Sequence, residues 1–345
     1  MATIKQVAEM AGVSVGTVSH VITGSVPVSE ALRASVEAAI RKLDYHPNHV
    51  ARSLKTNKTW TLGIIVPDLT IPFFPQMIRG AETAARKQGY SLVAVNSDDN
   101  LDRQKDLLSL LRSQRVEGML LVVASGATPL EQIERMMDAG IPVVCLDRVP
   151  NKVPVDSVSV EDVSAAELGV GHLVSMGYRR IAIVTGPLSL KNERKRLLGY
   201  RQALRKAGIG LDNSLTWQAD LRPENVTQVC TERLQTAGTQ PDAIFATNGP
   251  TGLGVMRALH KLGLKTPDDM AFVTFDELTV DDLFRPAITT VVQPATEIGY
   301  RAAEILLQRI EKPDKQERRI DLRLPATLKV RDSSRRRGNL KSLSA

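Results

Sequence analysis

The sequence predicts a small all-α unit followed by a much longer α/β body, and three observations lead there. Up to Leu43 the apolar residues recur at helical spacing; from Trp60 onward short apolar runs alternate with amphipathic helices; and 345 residues exceed what one ordinary domain holds. With 43% apolar and 24% charged residues the chain is composed like a soluble globular protein. No apolar run approaches the roughly 20 residues that cross a bilayer. The opening "MATIKQVAEMAG" lacks the order of a secretory signal, so a cytoplasmic protein without membrane contact is expected. Cys145 and Cys230 lie in apolar surroundings without CxxC or His-rich spacing, which makes them buried thiols and calls for no metal or cofactor. The net charge of +7 favours a polyanionic partner.

Thr3 with Gln6 forms a capping box ahead of a first helix whose face carries Ile4, Val7, Ala8 and Ala11. Gly12 permits a turn, Ser14 caps a second helix, and Val18, Val21 and Ile22 continue the apolar stripe. After "TGSVPVS", Ser29 caps a third helix with Leu32, Val36, Ile40 and Leu43 on one face. Three short helices with a glycine turn between the first two make a helix-turn-helix unit over 1–46. The polar stretch 47–59 contains Pro47 and has no core stripe of its own. It reads as a linker, in which Asn48 and "HVARSLK" allow a short helix if something else stabilises it.

The body then offers "TLGIIVPD", "SLVAVNS", "GMLLVV", "PVVCLD", "SVSV", "RIAIVTG", "DAIFATN", "AFVTFD" and "TTVVQP" as strands, with helices such as 74–88 and 102–114 between them. Such alternation argues for parallel strands joined by right-handed crossovers. Most strands end in small or polar residues, where open α/β sheets bind ligands. A body over 60–333 is too long for one such sheet, so two Rossmann-like subdomains with a cleft between them are expected. They are placed at about 60–160 with 291–320, and 161–290 with 321–333. The basic tail 334–345 is expected to be disordered.

The segments "TIKQVAEMAGVSVGTVSHVI", "HPNHVARSLKTNKT", "LGIIVPDLTIPFF", "GYRRIAIVTGP", "TFDE" and "PAITTVVQP" resemble signatures of the lactose-repressor (LacI/GalR) family of bacterial transcription regulators, in the family's order and across most of the chain. The resemblance implies a periplasmic-binding-protein-like body that closes over a small effector. It also implies a homodimer whose head-pieces dock on a palindromic double-stranded DNA operator, with hinge segments that become helical in the minor groove.

By the same resemblance Thr3, Ser14, Thr17, Ser19 and Tyr45 are backbone contacts, while Val15, Gly16 and His20 fall at base-reading positions. Val15 could press its methyls on a thymine methyl while Gly16 lets the helix approach the groove floor; in the other reading Gly16 is permissive and His20 reads. Leu54 matches a lever that wedges into the central base step, with Ala51 and Lys55 lining the same groove. In the body, Phe73 and Phe74 match an aromatic wall, and Arg148, Arg194, Asn248 and Asp276 match polar positions at strand ends. Arg194, a fork of donors, and Asp276, a pair of acceptors, are expected as the main anchors of a sugar; a nucleobase stacked on the phenylalanines is the alternative, and the basic loop "LKNERKR" leaves an acidic or phosphorylated sugar open although most of its charge should face water. The chain departs from the family pattern at Glu161-Asp162, at Asn248-Gly249 and at Leu221, where an aromatic residue often stands.

Two other classes compete. A sugar-binding transport component would share the body but not the helix-turn-helix. An enzyme finds no GxGxxG, P-loop, GxSxG or paired histidine and nucleophile here. Leu340 and Leu343 do not continue into heptads, so a dimer without a tetramer is expected.

Overall fold

The computed structural model describes residues 2–23, 26–45, 58–126, 130–150, 155–236, 238, 240–277, 285–312 and 318–335. The chain divides into two compact units, Met1–Thr59 and Trp60–Ala345.

The first unit contains α1 (Ile4–Ala11), α2 (Val15–Thr23) and α3 (Glu30–Leu43). Gln6 N donates to Thr3 Oγ1 at 3.4 Å and Thr3 N donates to Gln6 Oε1 at 2.8 Å, closing the capping box. Gly12 ends α1 at φ 65°, a left-handed turn that a Cβ would strain. Thr17 N donates to Ser14 Oγ at 3.1 Å, which caps α2. Val7, Val18 and Val36 are fully buried and form the small core with Ala8 and Ala39. Two details differ from expectation. Ser29 precedes α3 in extended conformation but its hydroxyl makes no capping bond, and Leu32 is exposed. Residues 30–35 are all exposed, so the buried stripe of α3 starts only at Val36.

The second unit is built of twelve strands, β1 (Thr61–Val66), β2 (Ser91–Asn96), β3 (Gly118–Leu121), β4 (Val143–Leu146), β5 (Asp156–Val160), β6 (Ile181–Thr185), β7 (Thr216–Gln218), β8 (Ala243–Ala246), β9 (Ala271–Phe275), β10 (Thr289–Val292), β11 (Asp321–Leu324) and β12 (Thr327–Lys329), among the described residues. Its helices are α4 (Phe73–Lys87), α5 (Leu101–Ser113), α6 (Leu130–Asp138), α7 (Asp162–Ser175), α8 (Lys191–Lys206), α9 (Pro223–Gln235), α10 (Gly249–Lys261) and α11 (Ala295–Glu311). One sheet has the order β11-β5-β4-β3-β1-β2 and the other β12-β10-β9-β8-β6-β7. Every pairing is parallel except β10 with β12. Inner strands such as β3, β4, β8 and β9 are buried along their whole length, which is why they read as unbroken apolar runs. The expectation omitted β7, β11 and β12. All three lie at sheet edges, are three or four residues long and are partly exposed, so no apolar run marks them.

The chain crosses between the sheets after β5, after β10 and after β11. This corrects the expected division: 291–292 complete β10 in the second sheet, and 321–324 pair with the open edge of β5 in the first. The first subdomain is therefore 60–160 with 295–324, and the second is 161–292 with 327–335. The returning helix α11 lies against α4 backbone to backbone, where a Cβ on Gly80 would stand 1.9 Å from Thr296 O and one on Gly299 1.9 Å from Met77 O. Ser334, assigned by expectation to the disordered tail, is buried and within bonding distance of Thr289 Oγ1 (2.6 Å) and His172 Nε2 (2.8 Å), and 336–345 of the expected tail lie outside the described residues. Among the described residues no helix is long and apolar enough to cross a membrane.

Candidate nucleic-acid interface and effector cleft

Of the residues expected to meet DNA, Val15, Gly16 and His20 are exposed on α2. Val15 is 40% exposed, although burial would favour its methyls, and an alanine Cβ at Gly16 would meet only Ser14 Oγ at 3.5 Å. Packing therefore requires neither residue, and glycine here gives up about 1 kcal/mol of helix propensity for no structural return. Ser14 and His20 are exposed, and Thr17 and Ser19 half-buried. Ser14 Oγ also stands 2.9 Å from Thr17 Oγ1, so its hydroxyl is held within its own turn. Thr3 is exposed and held by the capping box, and Tyr45 packs at the rim of the core. Ala51, Leu54 and Lys55, with the expected hinge helix, lie outside the described residues.

In the body, the carboxyl ends of the central strands converge on a cleft of about 40 Å³. The segment after β1 supplies Ile71, Phe73 and Phe74, and that after β4 supplies Asp147 and Arg148. Asn192, Glu193 and Arg196 come from the first two turns of α8. Asn248 follows β8, Asp276 follows β9 and Gln293 follows β10. Asp147 and Asp276 hold left-handed backbone, at φ 55° and 66°, a conformation that aspartate tolerates better than most residues. An adjoining outer chamber of about 190 Å³ shares Ile71, Phe73, Leu221, Pro250 and Asp276 with the inner one. A larger concavity of about 560 Å³ beside α10 is mostly apolar and away from the strand ends. The convergence of polar groups, rather than size, marks the ligand site.

Arg196 organises the cleft. Only 2% of its side chain is exposed. Its Nε donates to Asp162 Oδ1 at 2.9 Å, one terminal nitrogen to Thr247 O at 2.7 Å and the other to Gln293 Oε1 at 3.4 Å. Its guanidinium lies 4.2 Å from the ring centre of Phe275, and carboxylate oxygens of Asp147 and Glu193 stand 3.9 Å away. Burial works against its charge, but Asp162, Glu193, Asp147 and Asp276 together raise its pKa. Burial also raises the acids: Asp162 and Asp276 are pushed up to about 6 and Asp147 above the usual carboxylate range, because desolvation outweighs the attraction of Arg196.

The other members are held from both sides. Asp276 accepts from Gln293 Nε2 at 2.7 Å and from Gly249 N at 3.3 Å. Asn248 caps α10 by accepting from Thr251 N at 2.9 Å while its Nδ2 donates to Glu193 Oε1 at 2.9 Å. Glu193 also accepts from Gly186 N at 2.9 Å and Thr247 Oγ1 at 2.5 Å. Arg148 is paired with Asp99 at 2.5 Å. Phe73 and Phe74 meet edge to face at 5.4 Å and serve as core and cleft wall together.

Five of the six expected residues thus meet in one cleft. Arg194 does not. It is exposed, and its guanidinium donates to the carbonyls of Leu188 and Ser189 at 2.6 and 2.8 Å on the loop before α8. Two residues are about 200° around a helix, which puts Arg194 and Arg196 on opposite faces. The signal was available, because Arg196, Leu197, Tyr200, Ala203 and Leu204 lie at helical spacing and the last four are apolar. Asp147, Glu193 and Gln293 also went unexpected; only their positions just after strands or in a following first turn distinguish them.

A helix-turn-helix unit followed by a two-lobed α/β body with a polar cleft at its strand ends defines a class of ligand-responsive DNA-binding regulators. Residues 3–48 match the description of bacterial regulatory proteins of the lacI family, and 59–331 match that of periplasmic binding proteins and the sugar-binding domain of the LacI family. The ribose operon repressor of Escherichia coli (strain K12) is 36% identical over 322 residues, 93% of this chain and 97% of that protein. The repressor PurR of Vibrio atlanticus (strain LGP32) is 35% identical, over 92% of this chain and 95% of that protein. The fold superposes on the lac repressor dimer bound to operator and the anti-inducer ONPF with a TM-score of 0.80, at 27% identity, covering 97% of this chain and 99% of that one. The chain belongs to the lacI family of bacterial regulatory proteins, and it is a regulator rather than an enzyme.

Proposed function

We propose that this protein is a cytoplasmic, dimeric transcriptional repressor that binds a palindromic operator and whose operator affinity is set by a small free sugar held in the cleft. On the DNA side, Thr3, Ser14, Thr17, Ser19 and Tyr45 fix the register on phosphates while Val15, Gly16 and His20 face the base edges. The hinge residues Ala51, Leu54 and Lys55 enter the minor groove, with Leu54 as the wedge. On the effector side, Arg196 replaces Arg194 beside Asp276, Asn248, Arg148, Phe73 and Phe74. The observation that carries the sugar reading is the mixture of donors and acceptors around Arg196 next to a phenylalanine wall, which suits adjacent hydroxyls on a ring. Leu221 also lines the cleft, and an aliphatic side chain there offers no second aromatic face to sandwich a nucleobase.

Two experiments test this reading. Thermal unfolding of the full-length protein with a panel of aldoses and ketoses, D-ribose among them, and of purine bases should show a sugar as the stabilising ligand; stabilisation by a base alone would refute the sugar assignment. Binding to selected palindromic and random duplexes at fixed salt should show Leu54→Ala losing a few kcal/mol on the operator and little on random DNA. Equal losses on both would make Leu54 structural.

A further inference from the structure

The cleft holds more carboxyl groups than guanidinium groups, and this imbalance constrains the ligand. Asp147, Glu193 and Asp276 line the inner chamber against Arg148 and Arg196. Each guanidinium is already held from behind by another carboxylate, Arg148 by Asp99 and Arg196 by Asp162. Lys195, the next cation along α8, pairs with Asp162 at 3.7 Å. Lys191 does not line the inner chamber but a smaller one of about 30 Å³ that shares Arg148 and Leu190 with it. Among the described residues the outer chamber presents Asp68, Asp276 and Glu277 and no lysine or arginine, and Glu277 is bridged to Lys329 and Arg331 behind it.

Hydrogen-bond capacity is unbalanced in the same direction. Three of the five N–H groups of Arg196 are spent on Asp162, Thr247 and Gln293, and the acids of Asp147 and Glu193 stand beside its terminal nitrogens. Glu193 is largely occupied by Asn248, Gly186 and Thr247, but Asp276 accepts only from Gln293 and Gly249 and keeps lone pairs for the chamber, as does Asp147 beside it. A ligand that fits supplies hydrogen-bond donors and brings no negative charge.

Resting on the sugar reading above, we infer that the cleft selects an uncharged polyol and rejects anionic forms of the same molecule, phosphate monoesters and sugar acids. The protein then responds to a free sugar and not to its phosphorylated product, so the class of reaction that ends its signal is phosphoryl transfer onto a sugar hydroxyl.

Calorimetric titration of the full-length protein with charge ladders tests this: D-ribose against D-ribose 5-phosphate, and D-glucose against D-glucose 6-phosphate and D-gluconate. For the sugar that binds, the anionic form should bind weaker by on the order of a hundredfold, the scale of an unscreened like charge a few ångströms away in a protein interior. Hypoxanthine against inosine 5′-monophosphate extends the ladder to the other ligand class. A neutral base that binds while its monophosphate does not would sink the sugar reading and leave the charge rule standing. An anionic form that binds as tightly as its neutral parent, or binds alone, overturns the charge rule itself. Asp276→Asn keeps the shape and removes one charge, so the affinity ratio between neutral and anionic forms should narrow by about tenfold. A loss of affinity equal for both forms would mean that Asp276 holds the fold and does not screen charge.

Discussion

The outward polar groups of the helix-turn-helix unit and the polar groups of the cleft are held in different ways. Ser14 is satisfied by Thr17 three residues on, and Thr3 by Gln6 at the same spacing. Arg196 instead takes its partners from Asp162, Thr247 and Gln293, separated from it by 34, 51 and 97 residues. The surface of α2 can therefore vary without disturbing the small core beneath it, whereas a change at Arg196 reaches β4, α7, α8 and the crossing segment after β10 together. A reading face built on local bonds leaves specificity free to drift; a cleft built on distant ones ties ligand recognition to the stability of the body.

The largest effect that should separate the two regions is Arg196→Met. It leaves buried acids without their cation, and breaking a buried pair in this way costs about 3–5 kcal/mol. Chemical unfolding of the full-length protein should show the loss in the body transition. A loss below about 1 kcal/mol would mean that the acids do not depend on Arg196.

Next comes Asp276→Asn. A folded carboxyl raised to about 6 binds its proton more tightly than the unfolded chain does, so its stabilising contribution is full below about pH 4 and is lost as pH rises through about 6. An asparagine carries no such ionisation, so relative to the Asp276→Asn variant the wild type should lose stability as pH rises from about 4 through about 6. Parallel stability curves for the two proteins across that range would contradict the burial argument.

On α2, replacing Val15-Gly16 by Tyr-Gln should leave the unfolding temperature nearly unchanged and alter the preferred half-site by about 1–3 kcal/mol, the value of one good base contact. If selection from random duplexes returned the same site, the reading would pass to His20. The smallest effect belongs to Arg194→Ala, which removes an exposed side chain and should change stability by no more than about 0.5 kcal/mol.

What the sequence made legible follows the same division. The helices, their caps at Thr3 and Ser14, and the inner strands rest on contacts within a few residues or on burial of whole apolar runs, so spacing and composition reveal them. The edge strands β7, β11 and β12 carry no such run and were missed. Phe73, Phe74, Arg148, Asn248 and Asp276 were singled out by the resemblance, and the structure brings them together in one cleft. The choice between Arg194 and Arg196 turned on which face of α8 is buried. A motif match shows that an arginine is present in "KNERKRLLGY"; only the helical phase set by Leu197, Tyr200 and Leu204 shows which one points inward. Pairings such as Arg196 with Asp162 depend on the sheet order and leave no local trace.

The central claim is that Arg196, and not Arg194, holds the effector. Calorimetric titration decides it, using the full-length wild type, Arg194→Ala and Arg196→Lys with the panel sugar that most raises the unfolding temperature. Lysine keeps the charge but loses the planar fork that joins Asp162, Thr247 and Gln293. Arg194→Ala should bind as tightly as wild type, and Arg196→Lys at least about tenfold more weakly, the equivalent of one lost charged hydrogen bond. Weakened binding in Arg194→Ala with wild-type binding in Arg196→Lys would contradict the account.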